Sequence, residues 1–145
     1  GASRIDCFEP GSEALECLHL NLSDRFGIHY HSVALGDKIC EMTLYGHHDS
    51  GFLTLIPTEK FVPKETVKVF PLDYFKLEPT FIKVDIQGGE MDFLLGATET
   101  IKKHKPGILI EGTRSDPNQD TLEYLRDLGY RLECATSSDY LMVPE

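Results

Sequence analysis

The stretch that most constrains the fold runs from Phe81 to Ile86 and reads Phe-Ile-Lys-Val-Asp-Ile. Mostly apolar, β-branched runs of this kind are typical of strands buried in a parallel sheet. Gly88 and Gly89 follow. Beyond them, apolar side chains recur at helical spacing, at Met91, Leu94, Leu95 and Ile101. The stretch therefore predicts a strand, a tight turn and a helix, which is the repeating unit of an α/β fold.

Strand and helix patterns alternate along the rest of the chain. Helices are predicted from Ser12, as the capping residue, to about residue 22 and from residue 120 to 128. Strands are predicted at residues 4–8, 28–35, 39–45, 66–70, 108–110, 131–134 and 140–143. The short gap between the last two strands predicts an antiparallel hairpin. We therefore expect one α/β domain over residues 1–145, with an open, mostly parallel sheet.

Charge and composition narrow the possible partners. The net charge is −10 and the pI is about 5.0, and the largest basic cluster is Lys102, Lys103 and Lys105. Nucleic acids and anionic membranes are therefore not expected as partners. The sequence shows neither a membrane-spanning apolar run nor a signal peptide, which favours the cytoplasm. Of the four cysteines, none forms a CxxC pair, and Cys7 and Cys17 are expected to be buried and reduced.

Polar side chains follow several predicted strands at the point where each strand ends. They are Glu9, the Ser32-Val33-Ala34 segment, Asp85 with Gln87, and Glu111. In an open α/β sheet, ligands bind beyond the carboxyl ends of the strands. Packing alone does not require carboxylates at consecutive strand ends, so the sequence predicts a binding site at this edge.

Two of these carboxylates have alternative interpretations. Glu9 could accept hydrogen bonds from the hydroxyls of a ribose, or it could be a solvated residue near a helix start. Asp85 could orient a cationic cofactor or accept a proton from a hydroxyl, or it could cap the following helix. Glu90 could simply offset the dipole of that helix.

The loop around His47 and His48 is expected to cover the pocket. Adjacent histidines can rarely both reach one metal ion, and no third ligand is fixed by spacing, so no metal site is predicted.

Several segments resemble one enzyme family in the same order along the chain. Residues 82–90 resemble the Ile-Asp-Val-Glu-Gly-x-Glu block of the FkbM methyltransferases, residues 94–97 resemble their Leu-x-Gly-Ala helix, and residues 105–111 resemble their Lys-Pro strand ending in Glu. Glu9-Pro10, residues 33–37 and Leu72-Asp73 resemble further family segments. The resemblance implies a class I, Rossmann-like methyltransferase sheet that binds S-adenosylmethionine.

The resemblance also implies roles for single residues. Glu9 would bind the ribose, Ser32, Val33 and Ala34 would lie near the adenine, and Asp85 would lie by the methionine part and the transferred methyl group. Asp85 and Glu111 would be the catalytic residues. Gln87, Glu90, His47 and His48 would line the substrate pocket. Family members mostly methylate hydroxyl oxygens of small molecules or sugars, which makes such a molecule the expected methyl acceptor.

The sequence departs from the family pattern at two places. Gln87 stands where the family usually has Glu. The family's first strand and helix, with the Gly-Ala-Asn-x-Gly loop between them, have no counterpart in these 145 residues. That strand would lie between the strands that end at Glu9 and Asp85. Those strands could pair directly, or a second chain could fill the gap; we expect the second arrangement and hence a homo-oligomer.

Three functions remain open from the sequence. The leading one is an S-adenosylmethionine-dependent O-methyltransferase, or the larger part of one. A non-catalytic interaction or oligomerisation module is the second, and a different nucleotide-binding protein that uses Glu9 is the third.

Overall fold

The computed structural model describes residues 2–46, 53–57, 59–111, 119–136 and 138–145, and the side chain of residue 119 lies outside that description. The helices are α1 Ser12–Asn21, α2 Glu90–Gly96, α3 Thr98–His104 and α4 Gln119–Asp127, with a 3-10 turn at Leu72–Phe75. The strands are β1 Ile5–Phe8, β2 Ile28–His31, β3 Ala34–Leu35, β4 Cys40–Gly46, β5 Leu53–Thr54, β6 Val62–Phe70, β7 Phe81–Val84, β8 Gly107–Glu111, β9 Tyr130–Ala135 and β10 Asp139–Pro144.

The described strands form three sheets, with the orders β1-β2, β3-β6-β4-β5 and β7-β8-β10-β9. The α/β class and the antiparallel hairpin of β9 and β10 are confirmed. The expectation of one mostly parallel sheet is wrong, because β4 pairs antiparallel with β5 and β6, and β10 pairs antiparallel with β8 as well as β9. The burial pattern of β6 fits antiparallel pairing, because Val67 and Val69 are buried while Lys68 between them is exposed. This alternation suits a sheet with one solvated face.

The main core lies between the sheet β7-β8-β10-β9 and helices α2, α3 and α4. Seven apolar residues of this core have no exposed surface: Leu94, Ala97, Ile101, Ile108, Ile110, Leu125 and Met142. The helix predicted after Gly89 is divided into α2 and α3. The carboxylate of Asp73 accepts hydrogen bonds from the backbone N–H groups of Glu99 and Thr100, which stabilises the start of α3.

A smaller core lies under the sheet β3-β6-β4-β5 and consists of Ala34, Leu44, Val67 and Val69. The two cores meet where α2 approaches the turn after β3. A Cβ atom added at Gly96 would lie 1.9 Å from the carbonyl oxygen of Gly36. Only glycine therefore allows this helix to approach so closely.

Strands β1 and β2 form a parallel pair in which Ile5 faces Ile28, and α1 connects them. The prediction that Ser12 caps α1 is wrong. Ser12 is the first helical residue, Gly11 occupies the N-cap position, and the Glu65 carboxylate accepts hydrogen bonds from the N–H and the hydroxyl of Ser12. The Glu65 side chain, which is distant in sequence, thus stabilises the start of α1, the role that the local sequence predicted for Ser12.

The strands that end near Glu9 and Asp85 are not paired with each other within the described ranges. β1 pairs with β2, and β7 pairs with β8. Direct pairing of β1 with β7, one of the two arrangements considered above, is therefore not the arrangement found.

All four cysteines are free thiols. The prediction that Cys17 is buried is wrong, because α1 has no buried residue and Cys17 is exposed; Cys7 is half-buried. None of the helices in the described ranges has the length and apolar character needed to cross a bilayer.

Candidate active site

The carboxyl ends of β7 and β8 bring two acidic side chains together. The strands are parallel, and Val84 lies opposite Ile110, so the residues that follow, Asp85 and Glu111, are neighbours at the same edge. The side-chain amide nitrogen of Gln87, Nε2, lies 3.1 Å from Asp85 Oδ1 and 3.0 Å from Glu111 Oε2. One amide group therefore donates to carboxylates from two strands.

The two carboxyl groups have opposite protonation tendencies. Lys83 Nζ lies 2.7 Å from Asp85 Oδ2, and this hydrogen bond, together with one from Glu111, lowers the pKa of Asp85 below its ordinary value. The pKa of Glu111 is raised, first by its hydrogen bond with Asp85 and then by desolvation. When one proton is shared by such a pair, it resides on Glu111 while Asp85 stays ionised.

The turn after β7 has an unusual backbone. Gln87 has φ 58°, in the left-handed region that few residues other than glycine adopt, and Gly88 has φ 107°. Thr54 from β5 is buried, and its hydroxyl donates to the carbonyl oxygen of Gln87 at 3.1 Å. A Cβ atom on Gly88 would lie 2.7 Å from the side chain of Ile56. The segment after β5 therefore covers this turn.

Glu90 also shapes the turn. Its side chain is 3% exposed, and its Oε1 accepts a hydrogen bond of 3.0 Å from the N–H of Gly88. Gly89, rather than Asp85, is the N-cap of α2, so the helix-capping interpretation of Asp85 is wrong. Asp85 is exposed at the strand end, where its bonding partners are Lys83, Gln87 and Glu111.

Glu9 lies at the carboxyl end of β1 and is half-buried, unlike a freely solvated residue. Its Oε1 accepts a 2.8 Å hydrogen bond from the N–H of Gly11. Burial raises the pKa of Glu9; the Gly11 hydrogen bond opposes this rise, and the charge of Glu65 adds to it. The Glu9 carboxyl group is therefore held in a defined position and is partly desolvated.

The β5 segment links the Glu9 side of the edge to the Asp85 side. A Cβ atom on Gly11 would lie 2.5 Å from the side chain of Leu53, while the next residue, Thr54, is bonded to Gln87. Two consecutive residues of β5 therefore lie against the turn after β1 and the turn after β7. The structure thus brings Asp85, Gln87 and Glu111 together at the ends of β7 and β8, while Glu9 lies at the end of β1.

The remaining predicted residues are placed differently. Ser32 is exposed and Val33 half-buried between β2 and β3, whereas Ala34 is buried in the smaller core and pairs with Val69. His47 and His48 lie outside the described residues.

Sequence reasoning missed Lys83, Thr54 and Ile56 as neighbours of this site. Lys83 could have been found from the alternation of β7, because residues two apart in a strand share a face. No local signal marks the other two, since residues 53–56 reach the turn only through the tertiary fold.

Comparison with known proteins gives two matches. Residues 6–132 match the family model described as the methyltransferase FkbM domain. The crystal structure of methyltransferase FkbM from Methylobacillus flagellatus KT resembles this chain with a TM-score of 0.65 and 23% sequence identity, over 97% of this chain and 36% of that one. This likeness supports the fold, and the chain spans about a third of that structure's length. A search of curated proteins found no match.

Proposed function

Because the chain belongs to the FkbM methyltransferase family, whose family model covers residues 6–132, we propose that it uses S-adenosylmethionine to methylate a hydroxyl oxygen of a small molecule or sugar. The observation that carries this proposal is the pair of carboxyl groups, Asp85 and Glu111, bridged by Gln87. Methyl transfer between two bound molecules depends mainly on positioning, and fixed polar groups at one edge can supply it.

The acidic side chains fit the chemistry of the cofactor. Glu9 uses Oε1 to hold Gly11, which leaves Oε2 as an acceptor for a ribose hydroxyl. Asp85, with its lowered pKa, is an ionised carboxylate that suits the amino group of the methionine part. When bound, the cofactor supplies a methyl group on a positively charged sulfur.

In this mechanism the residues of the chain bind, orient and accept a proton. Glu9 and Asp85 orient the cofactor. Glu111 is the stronger base of the pair because its pKa is raised, so its deprotonated form accepts the proton of the methyl acceptor's hydroxyl.

Cofactor binding tests this function most directly. We expect calorimetric titration with S-adenosylmethionine to show only weak binding, because the family's Gly-Ala-Asn-x-Gly loop has no counterpart in these residues, and Glu9→Gln to weaken it further by about 1.5–3 kcal/mol, the range for a hydrogen bond to a charged group. The matched control is Glu13→Gln, an exposed residue in the first turn of α1, which should leave the affinity unchanged. If the unaltered chain gives no binding heat at millimolar cofactor, the proposal is wrong for this chain. An equal loss in both variants would remove Glu9 from the site.

We further propose that the chain forms homo-oligomers through the outer edges of β1 and β7. Within the part of the chain that the structure describes, each of these strands has one paired side, and Ile5 and Phe81 are 45% and 54% exposed. Apolar edge strands favour pairing with another chain, because their backbone groups are otherwise left to solvent.

Light scattering after size exclusion should show a mass that rises with concentration. Ile5→Lys should reduce the association, because a lysine on an edge strand opposes pairing. Leu20→Lys on the exposed face of α1, where Leu20 is 71% exposed, is the control. A constant monomer mass would contradict the proposal, while association without cofactor binding would favour an interaction module instead of an enzyme. We place the protein in the cytoplasm, in accord with its four free thiols.

A further inference from the structure

We propose that Gln87 is a positioning residue, whose side-chain amide holds Asp85 and Glu111 together and which is itself held by Thr54. The catalytic meaning of this role rests on the proposed function, whereas the hydrogen bonds of Gln87 do not depend on that function. Nε2 carries two hydrogens and lies within hydrogen-bond distance of one oxygen from each carboxyl group. The orientation of the amide follows from its neighbours, because an amide oxygen at the same place would face two carboxylate oxygens.

The electrostatic surroundings explain why a bridge is needed. Lys83 pairs with Asp85, whereas the charges of Asp139 and Glu90, together with that of Asp85, all act on Glu111 with the same negative sign. When both carboxyl groups are ionised, like charges at close range favour their separation. The Gln87 amide is a neutral donor between them, so it opposes the separation without adding a charge.

The backbone of Gln87 is held in an uncommon conformation to make this bridge. A residue with a side chain rarely adopts φ 58° unless its surroundings impose it. The Thr54 hydroxyl donates to the carbonyl oxygen of Gln87, and the same hydroxyl oxygen accepts the N–H of Ile56 at 3.1 Å. On the other side of the turn, Glu90 accepts the N–H of Gly88. The turn is therefore fixed from β5 and from α2.

The decisive variant is Gln87→Gly. Glycine adopts a positive φ without steric cost, so this variant removes the bridge while the turn and the fold are retained. The readout is the pH titration of the Asp85 and Glu111 carboxyl carbons by NMR in the unliganded chain. In the unaltered chain the pKa of Asp85 is lowered, and that of Glu111 is raised, from the ordinary value of each group.

In the glycine variant we expect these two pKa values to approach each other by about half a pH unit or more, because the carboxyl groups separate. Unchanged values would overturn the proposal. A shift of both values upwards by the same amount would also overturn it, because Gln87 would then act as a donor to each group without holding them together.

A second pair of variants tests the role of Thr54. Thr54→Val removes the hydroxyl and should change the pKa values of Asp85 and Glu111 in the same direction as Gln87→Gly. Thr54→Ser keeps the hydroxyl and should leave both pKa values as they are in the unaltered chain. Thr66→Val, at an exposed position of β6, is the control and should have no effect. If Thr54→Ser behaves like Thr54→Val, the part of the proposal that concerns Thr54 is wrong.

The same samples separate this inference from the proposed function. Titration with S-adenosylmethionine should give a weaker affinity in Gln87→Gly than in the unaltered chain, because Asp85, which orients the cofactor in the proposed function, is no longer held by the Gln87 amide. Absence of cofactor binding in both chains would contradict the proposed function, and the carboxyl titrations would still decide the role of Gln87. An unchanged affinity in the glycine variant would contradict the positioning of Asp85 by Gln87.

Discussion

The unit formed by β1, α1 and β2 and the sheet β7-β8-β10-β9 both carry candidate site residues, but they differ sharply in burial. No residue of β1, α1 or β2 is buried. The sheet β7-β8-β10-β9 and its helices contain the main core, in which seven apolar residues have no exposed surface. Glu9 thus lies on the weakly packed unit, and Asp85 and Glu111 lie on the well-packed one.

The first unit is attached by aromatic contacts. The ring of Phe75 meets the ring of Phe8 at 5.0 Å and that of His31 at 5.2 Å. A two-stranded sheet is marginally stable without further packing. The two regions therefore differ in local stability, and a ligand bound at Glu9 would stabilise the weaker one by mass action.

The largest expected difference concerns truncation of a leucine in each region. Leu94→Ala removes a side chain with no exposed surface and should lower the free energy of unfolding by about 2–5 kcal/mol. Leu20→Ala in α1, where Leu20 is 71% exposed, should change it by no more than about 0.5 kcal/mol. Urea unfolding followed by circular dichroism measures both. Equal losses would mean that α1 is packed as firmly as α2, and the comparison would fail.

Hydrogen exchange tests the comparison without a mutation. Amides of β8 and β10 should exchange at least about a hundredfold more slowly than those of β1 and β2, because local opening of the weak unit leaves the main core intact. S-adenosylmethionine should slow exchange in β1 and β2 more than in β8 and β10. Uniform protection throughout the chain would show that the two regions unfold as one.

The smallest expected effect concerns a polar contact in the well-packed region. The Tyr130 hydroxyl donates a 2.9 Å hydrogen bond to the carbonyl oxygen of Pro106. Tyr130→Phe should cost about 1 kcal/mol near neutral pH, the usual net value of a hydrogen bond. Urea unfolding of the two chains measures this loss.

The pH dependence of that difference has a definite sign. Burial raises the pKa of Tyr130 to about 12 from an ordinary value of 10.0. The tyrosine of the unfolded chain therefore ionises first, and its contribution to stability is lost as the pH rises from about 10 to 12. The advantage of the unaltered chain over Tyr130→Phe should shrink across this range. A constant difference would mean that the Tyr130 hydroxyl is as accessible in the folded chain as in the unfolded one.

Local sequence patterns predicted most elements but not their grouping. The apolar run from Phe81 predicted β7, although the helix after it proved to be two. The stretch from Ile28 to Leu35, predicted as one strand, is divided between two sheets, β2 beside β1 and β3 beside β6. Sheet membership depends on partners far along the chain, and periodicity reports only which face of a strand is buried.

For the site, the sequence by itself determined that carboxylates follow strands, because strand ends are set by local residue types. Only the tertiary structure decided that Gln87 joins Asp85 to Glu111 and that Thr54 holds Gln87. Hydrogen bonds between residues 24 and 33 positions apart depend on how strands are placed beside one another, which no local pattern encodes. The same reason explains Glu65, which stabilises the start of α1 from 53 residues away.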